Sequence, residues 1–423
     1  MDTREKYARY VNTAFMKKVQ PVVFEEARGS KVYDESGKEY IDCFAGIAVT
    51  NAGHANPQIA EAAKSQMDRF FHCCSYYYYV KPVADLAEKL AHITPGRLKK
   101  TFFGNGGAEA IEGALRLAKQ YTGRSEFVAL QASFHGRSLA TLSITGNSGR
   151  KRGGGPYMPG VAFMPPPYCY RCFFELEPGS CDLRCARFLE ETVRFSTSGL
   201  VAAFVAEPVM GEGGIIVPPQ GYFEKISEIC DKHDMLFIVD EVQSGFGRTG
   251  KMLAIEYWDV EPDIMVMAKG LADGFPLSAF TARSEIADSF KPGDHLSTFG
   301  GNPISCAAGL ANIEFLEENQ IPKQAEEKGN YLMDRLNSLA RKHTVIGDIR
   351  GRGLMVGIEL VEDRSTRAPS SSGANIQDQC LEEGILIGVG GIYGNILRIQ
   401  PPLVIENEEL DAVVDCLDRV LPS

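Results

Sequence analysis

Two polar residues stand at the ends of short apolar runs and could act together on one bound molecule. Residues 235–239 lead into Asp240, and residues 264–268 lead into Lys269. Apolar runs of this length, bounded by polar residues and glycine, read as central strands of a parallel sheet. Open α/β sheets carry their chemistry outside the carboxyl ends of the strands. A carboxylate and an amine would then share one sheet edge. A carboxylate that keeps a proton on a ring nitrogen, beside a lysine that forms a Schiff base, is the pairing pyridoxal phosphate needs. A lone aspartate and a lone lysine at strand ends are also ordinary solvated residues, so the surrounding chain has to decide.

A third carboxylate, Glu207, ends the apolar run 201–206 and is followed by Pro208-Val209 and the glycine-rich turn Gly211-Glu212-Gly213-Gly214. A short strand over residues 100–103 leads into Gly104-Asn105-Gly106-Gly107-Ala108-Glu109, and a helical pattern then runs to Tyr121. A glycine turn that opens a helix presents free N–H groups to an anion. This turn matches neither G-x-G-x-x-G nor a P-loop, so a single phosphate suits it better than a nucleotide. A helix cap with no ligand is the other reading. Residues 126–130 read as a strand leading to Phe134-His135-Gly136-Arg137, where the ring could stack on a flat heterocycle and the arginine could bind a carboxylate.

The elements that must position these residues read as α/β. The 423 residues, at ~150 per domain, predict two or three domains. Residues 1–20 read as a charged helix and an approach loop, and a small β-meander follows between residues 21 and 42. The segment 43–54 is a loop of small residues and glycine in which His54 has no partner at metal spacing. Helices are expected over 57–69, 82–92, 222–234, 302–317, 321–342, 376–383 and 406–421, and further strands near 349–359, 385–389 and 396–400. Trp258 reads as packing. The aromatic run 76–79 could line a pocket, a subunit contact or the core. Residues 145–160 form an excursion or loop.

Composition narrows the class. A formal charge of -11 argues against a nucleic-acid partner. No run of about eighteen apolar residues occurs, so no membrane span is expected. The first residues lead into no apolar signal segment, and a cytoplasmic location is the default expectation. Eleven cysteines are too few for a disulfide scaffold at this length. Cys169, Cys172, Cys181 and Cys185 form C-x2-C-x8-C-x3-C, which admits a structural zinc reading. All four positions would be filled, so such a metal could not be catalytic. The spacing suits an iron–sulfur cluster less well. A group of reduced thiols is the alternative.

Taken together, Phe134-His135-Gly136-Arg137, Glu207-Pro208-Val209 with Gly213-Gly214, the run from Asp240 to Gly250, and Ala268-Lys269-Gly270 resemble the class III aminotransferases, the group of acetylornithine, ornithine and 4-aminobutyrate aminotransferases. The likeness extends over essentially the whole chain. It implies fold-type I: a large domain with a mostly parallel sheet (56–315) and a smaller α+β domain from residues 316–423, joined by residues 1–55. It implies pyridoxal 5'-phosphate, with Lys269 as the Schiff-base lysine and Asp240 on the ring nitrogen. Val242 and Phe134 take the two ring faces, Gln243 the ring hydroxyl, and Gly106, Gly107 and Ala108 the phosphate, with His135 among the cofactor residues. Many relatives have a hydroxyl residue in this cradle, where this chain has Gly107 and Ala108. The motif 297–303 also matches, and Thr298 is expected to reach the phosphate of a neighbouring subunit, which makes the unit at least a homodimer. Ile47, Arg137, Glu207 and Arg398 are implied as substrate residues, with Glu207 pairing with Arg398 whenever no substrate carboxylate occupies it. The implied substrates are an amino acid or amine and a 2-oxo acid. A racemase or epimerase of the same group needs the same site, and a non-catalytic protein is the remaining alternative.

Overall fold

The computed structural model describes residues 1–14 and 19–422, so part of the expected approach loop lies outside the described residues. The apolar runs form the middle of a seven-stranded sheet ordered Leu98–Gly104, Ser278–Arg283, Ile264–Met267, Leu236–Asp240, Val201–Ala206, Glu126–Leu130, Val161–Met164. Every residue of Val201–Ala206, Leu236–Asp240 and Ile264–Met267 is buried. Their runs are continuous rather than alternating because both faces are covered. Ala110, Ala114 and Leu117 of helix Gly107–Thr122 pack on one face against Ala203, Ile238 and Val266. Phe223 and Ile226 of helix Tyr222–Lys232 join the cluster on the other face with Phe204 and Phe237. The central pairs are parallel, so their carboxyl ends share an edge.

Two strands were not foreseen. Ser278–Arg283 runs antiparallel to both neighbours, and its polar and apolar residues lack a strand-like run. Val161–Met164 is four residues long and follows a glycine-rich stretch. Helix Arg184–Ser196 was also missed, because its charged residues mask the buried Ala186, Leu189 and Val193.

The second sheet joins chain segments far apart in sequence. Its order is Phe24–Arg28, Lys31–Asp34, Glu39–Cys43, Ile385–Gly390, Ile396–Ile399, Met355–Asp363, Ile346–Arg352, with Ala368–Pro369 on Met355–Asp363. The first N-terminal strand lies later than expected, because Pro21 and its neighbours precede it. The strand expected near 349–359 is instead a hairpin, with Ile346–Arg352 antiparallel to Met355–Asp363. Among the described residues, no helix is long and apolar enough to cross a membrane.

The cysteine segment serves as a docking arm. Cys169, Cys172, Cys181 and Cys185 are half-buried free thiols, and among the described residues no group of three or more His, Cys, Asp or Glu is placed to hold a metal ion. Burial raises the thiols of Cys169 and Cys185, and their neighbours in the group of four add to that rise, so the four cysteines lie near one another. Tyr168 and Arg171 instead bond the fully buried Glu359 of the second sheet, which also accepts from Arg350 at 2.8 Å.

Arg248 ties the two sheets together. It is fully buried and donates to the carbonyl oxygens of Leu354 (3.1 Å) and Pro401 and to Oδ1 of Asn51 (2.6 Å). Leu354 and Pro401 follow strands of the second sheet, and Asn51 follows the helical turn Ala45–Ala48 that comes after Glu39–Cys43. Arg248→Leu would leave them without a donor, at ~1–3 kcal/mol for each unsatisfied group. Urea unfolding followed by the fluorescence of Trp258, the one tryptophan, is expected to show a loss of about 3 kcal/mol or more, with Arg248→Lys recovering only part. A loss below about 1 kcal/mol would mean that other donors reach these oxygens.

Candidate active site

Lys269 follows strand Ile264–Met267 and has a left-handed backbone, with φ of 49°. A long side chain rarely adopts this conformation, and such strain collects at functional sites. The surroundings enforce it. Asn312, on helix Pro303–Glu318, donates to the carbonyl oxygens of Gly270 (2.8 Å) and Leu271 (3.1 Å). A Cβ on Gly270 would come within 2.5 Å of the Asn51 amide, so a larger residue after the lysine would displace that side chain, which bonds the Phe246 oxygen at 2.8 Å. The Lys269 amine is enclosed by the pocket but makes no hydrogen bond or ion pair among the described residues. Burial pulls it down to about 8, against the opposing effect of Glu212, Asp240 and Glu207.

Asp240, also buried, is held at both oxygens. Oδ2 pairs with His135 Nδ1 at 2.7 Å, and Oδ1 accepts from the Val242 amide at 3.0 Å. Burial works against a charged His135, yet Asp240 and Glu207 raise its pKa above the usual range. Glu207 accepts from the amides of Phe134 (3.0 Å) and Gly211 (2.9 Å), stapling two loops of the site. Burial and the nearby Asp240 push Glu207 up to about 7.

The strand ends and loops enclose a pocket of about 310 Å³. Its walls include Gly106, Gly107, Ala108, Phe134, His135, Glu207, Asp240, Val242, Gln243 and Lys269, all singled out from sequence. Gly106 is the N-cap of helix Gly107–Thr122 and supplies no capping side chain, which leaves first-turn N–H groups for an anion. A Cβ on Gly107 would sit 3.1 Å from Val242, so the helix start is pressed against that residue. Val49, Asn105, Phe275, Pro276 and Leu277 also line the pocket and were missed. Asn105 sits inside the glycine turn but was given no role, and the others sit in segments with no local chemical signal.

Four expected residues lie outside the pocket wall. Thr298 and Arg137 are exposed, and the Arg137 guanidinium lies 5.6 Å from the Phe134 ring centre. Ile47 is half-buried in a left-handed turn, Ala45 to Ala48, with φ values of 48°, 62°, 73° and 57°. Asp42 holds that turn by accepting from the amides of Phe44 (2.8 Å) and Ala45 (2.9 Å), and His54 pairs with Asp42 at 2.7 Å, a structural role. Arg398 is buried on strand Ile396–Ile399, 5.6 Å from the Phe44 ring centre.

The expected pairing of Glu207 with Arg398 is corrected. Arg398 Nη1 bonds Glu212 Oε1 at 2.7 Å, while both Glu207 oxygens are taken by backbone amides. Glu207 ends a buried strand and faces the loops beside it, whereas Glu212 lies beyond, in the Gly211–Gly214 turn. That turn was visible in the sequence, but its glutamate was not given a role. Burial opposes the charge on Glu212, but Arg398 and Arg150 outweigh it and hold the carboxyl down to about 2. Arg398 Nε has no partner among the described residues, leaving a donor for a further acceptor.

These groups fit pyridoxal phosphate. An uncapped helix start suits its phosphate, a buried carboxylate its ring nitrogen, and an unpaired amine of lowered proton affinity its aldehyde.

The comparisons agree with this architecture. The aminotransferase class-III family profile matches residues 14–421. The acetylornithine aminotransferase of Methanothermobacter thermautotrophicus is 42% identical over 95% of this chain and 94% of its own. The leucine/methionine racemase of Thermococcus litoralis is 40% identical over 99% of this chain and 94% of its own. An aminotransferase of Bacillus anthracis superposes with a TM-score of 0.93 at 35% identity, covering 99% of both chains. An (S)-enantioselective omega-transaminase from Thermomicrobium roseum gives a TM-score of 0.92 at 32% identity, covering 99% of this chain and 98% of its own. The two-sheet architecture is the fold-type I arrangement of pyridoxal-phosphate-dependent transferases, and this chain is an enzyme of the aminotransferase class-III family.

Proposed function

We propose that this enzyme transfers an amino group from an amino acid or an omega-amino acid, of the 4-aminobutyrate or ornithine kind, to a 2-oxo acid such as 2-oxoglutarate or pyruvate. The observation that carries this reading is the Arg398–Glu212 ion pair, whose carboxylate lies close enough to Lys269 to raise its proton affinity. A planar guanidinium can bind a substrate carboxylate at two points. An unpaired buried arginine is costly, and Glu212 removes that cost when no substrate carboxylate is present. One pocket can thereby serve a donor with no carboxylate next to the reacting carbon and an acceptor that has one.

In this reading the N–H groups of Gly106, Gly107 and Ala108 hold the cofactor phosphate. Asp240, positioned by His135, holds the proton on the ring nitrogen. Phe134 and Val242 would flank the ring, and Gln243 would meet its hydroxyl. Bound there, pyridoxal phosphate would supply an electron sink for the C–H bond that breaks beside the substrate nitrogen. Lys269 Nζ accepts that proton as a general base, and its lowered proton affinity keeps a useful neutral fraction near pH 8. Exposed Phe71, Tyr77, Leu296 and Phe299 support a homodimer. Their two segments are joined where Asn302 donates to the Phe71 oxygen at 3.1 Å and His72 stacks on Phe299. Thr298 lies on this surface, consistent with a reach into a partner's site.

The similarity to a racemase supports a second reading, in which the substrate carbon regains a proton on the face opposite to the one that Lys269 deprotonates. A donor screen with 2-oxoglutarate and pyruvate, run beside chiral analysis of amino acids without a keto acid, separates the two. Amino transfer from 4-aminobutyrate, lysine or ornithine supports the first reading. Inversion of an alpha amino acid with no keto acid formed would replace it with the second.

Lys269→Ala should abolish turnover in either case, because the covalent amine and the base are lost together. In the cofactor-free protein, acylation of Lys269 followed by mass spectrometry should rise with a midpoint near pH 8. A midpoint near that of an ordinary lysine, about 10.4, would remove the argument from proton affinity. Glu212→Ala leaves Arg398 unpaired when a donor lacks a nearby carboxylate. It should raise KM for such donors more than for alanine or glutamate, and equal losses would rule out the gate.

A further inference from the structure

Glu212 bonds two arginines at once. Oε1 accepts from Arg398 at 2.7 Å, and Oε2 accepts from Arg150 Nη2 at 3.0 Å. Arg398 is buried on strand Ile396–Ile399, near enough to Lys269 to lower its proton affinity. Arg150 ends the single helical turn Ser148–Arg150 of the glycine-rich excursion, and its side chain is half-buried. We propose that Arg150 holds Glu212 when a substrate carboxylate displaces it from Arg398, and so sets how readily the pocket admits carboxylate substrates. The inference rests on the assignment of Arg398 to the substrate carboxylate made above.

The physical need is plain. A carboxylate on Arg398 displaces one bond of Glu212, whose own carboxylate stays in a poorly solvated place. Without a second cation, opening would strand a buried charge, which is strongly unfavourable. With Arg150 already on the other oxygen, only one of two bonds is exchanged. The backbone beneath Glu212 has little freedom to carry it into solvent. Met210 and Ile216 exchange two backbone bonds across the turn (3.0 and 3.1 Å). Arg350 donates to the carbonyl oxygens of Gly214 (2.6 Å) and Ile215 (3.1 Å). Glu212 must therefore move by side-chain rotation, and Arg150 already bonds its second oxygen. Its partial exposure keeps its own charge hydrated in both positions.

The test is a double-mutant cycle on the holoenzyme, using whichever of pyruvate or 2-oxoglutarate it accepts faster. Substrate dependence of the acceptor half-reaction would be measured by single-turnover absorbance. Arg150→Met keeps the apolar stem and removes the charge. It should weaken apparent binding of the keto acid by about tenfold with a smaller change in the limiting rate. Arg150→Lys should restore part of the loss. In a Glu212→Ala background, Arg150→Met should have no further effect, because no carboxylate remains to be held. An equal loss in both backgrounds would mean that Arg150 touches substrate directly or only stabilises the loop, and would overturn the proposal. Arg398→Met serves as the reference. If it weakens keto-acid binding while Arg150→Met does not, the proposal alone fails. If it leaves binding unchanged, the carboxylate assignment fails and the proposal falls with it.

Discussion

The site depends on keeping one amine enclosed among carboxylates without letting it close onto any of them. Glu212, Asp240 and Glu207 all raise the proton affinity of Lys269, and a salt bridge to any one would remove the free amine. Each carboxylate is already occupied. Asp240 is taken by His135 and a backbone amide, Glu207 by two amides, and Glu212 by two arginines. The lysine is held back by its own left-handed backbone and by Asn312 beneath the turn. Saturated partners and a strained backbone thus act together, and the amine stays available for a carbonyl.

The large sheet sets the spacing of these groups. Adjacent parallel strands deliver Glu207 and Asp240 to one edge, with Lys269 just beyond the next strand. The second sheet supplies Arg398. The relation of the Arg398–Glu212 pair to the lysine therefore depends on contacts between the sheets. Arg248 supplies one, through two backbone oxygens and the Asn51 amide oxygen rather than a carboxylate. The cysteine arm supplies another, because Tyr168 and Arg171 meet Glu359, and Arg350 bonds both Glu359 and the turn that carries Glu212. The cysteine segment is thus tied through one arginine to the turn that carries Glu212.

Local sequence made much of this legible. The runs ending at Glu207, Asp240 and Lys269 stood out because strands covered on both faces must be continuously apolar. The glycine start of helix Gly107–Thr122 stood out because an uncapped helix leaves its N–H groups free. Helices with a clear apolar face, such as Ile321–Ala340, were readable from spacing alone. Strands Ser278–Arg283 and Val161–Met164 were not, since one mixes polar and apolar residues and the other is too short to show a period.

The sequence by itself determined which residue types stand at the strand ends, and so the kind of chemistry the sheet edge can host. It also carried the family pattern, which spans nearly the whole chain. Only the tertiary structure decided which glutamate meets Arg398. Glu207 and Glu212 are five residues apart and chemically alike, and nothing local separates them. What separates them is where backbone amides are free. The amides of Phe134 and Gly211 reach Glu207, while the arginines of the second sheet and the excursion reach Glu212. Those partners lie 73 to 186 residues away along the chain, apart from Gly211 and Arg150. Charge matching at such separations is a property of packing, which residue order alone does not express.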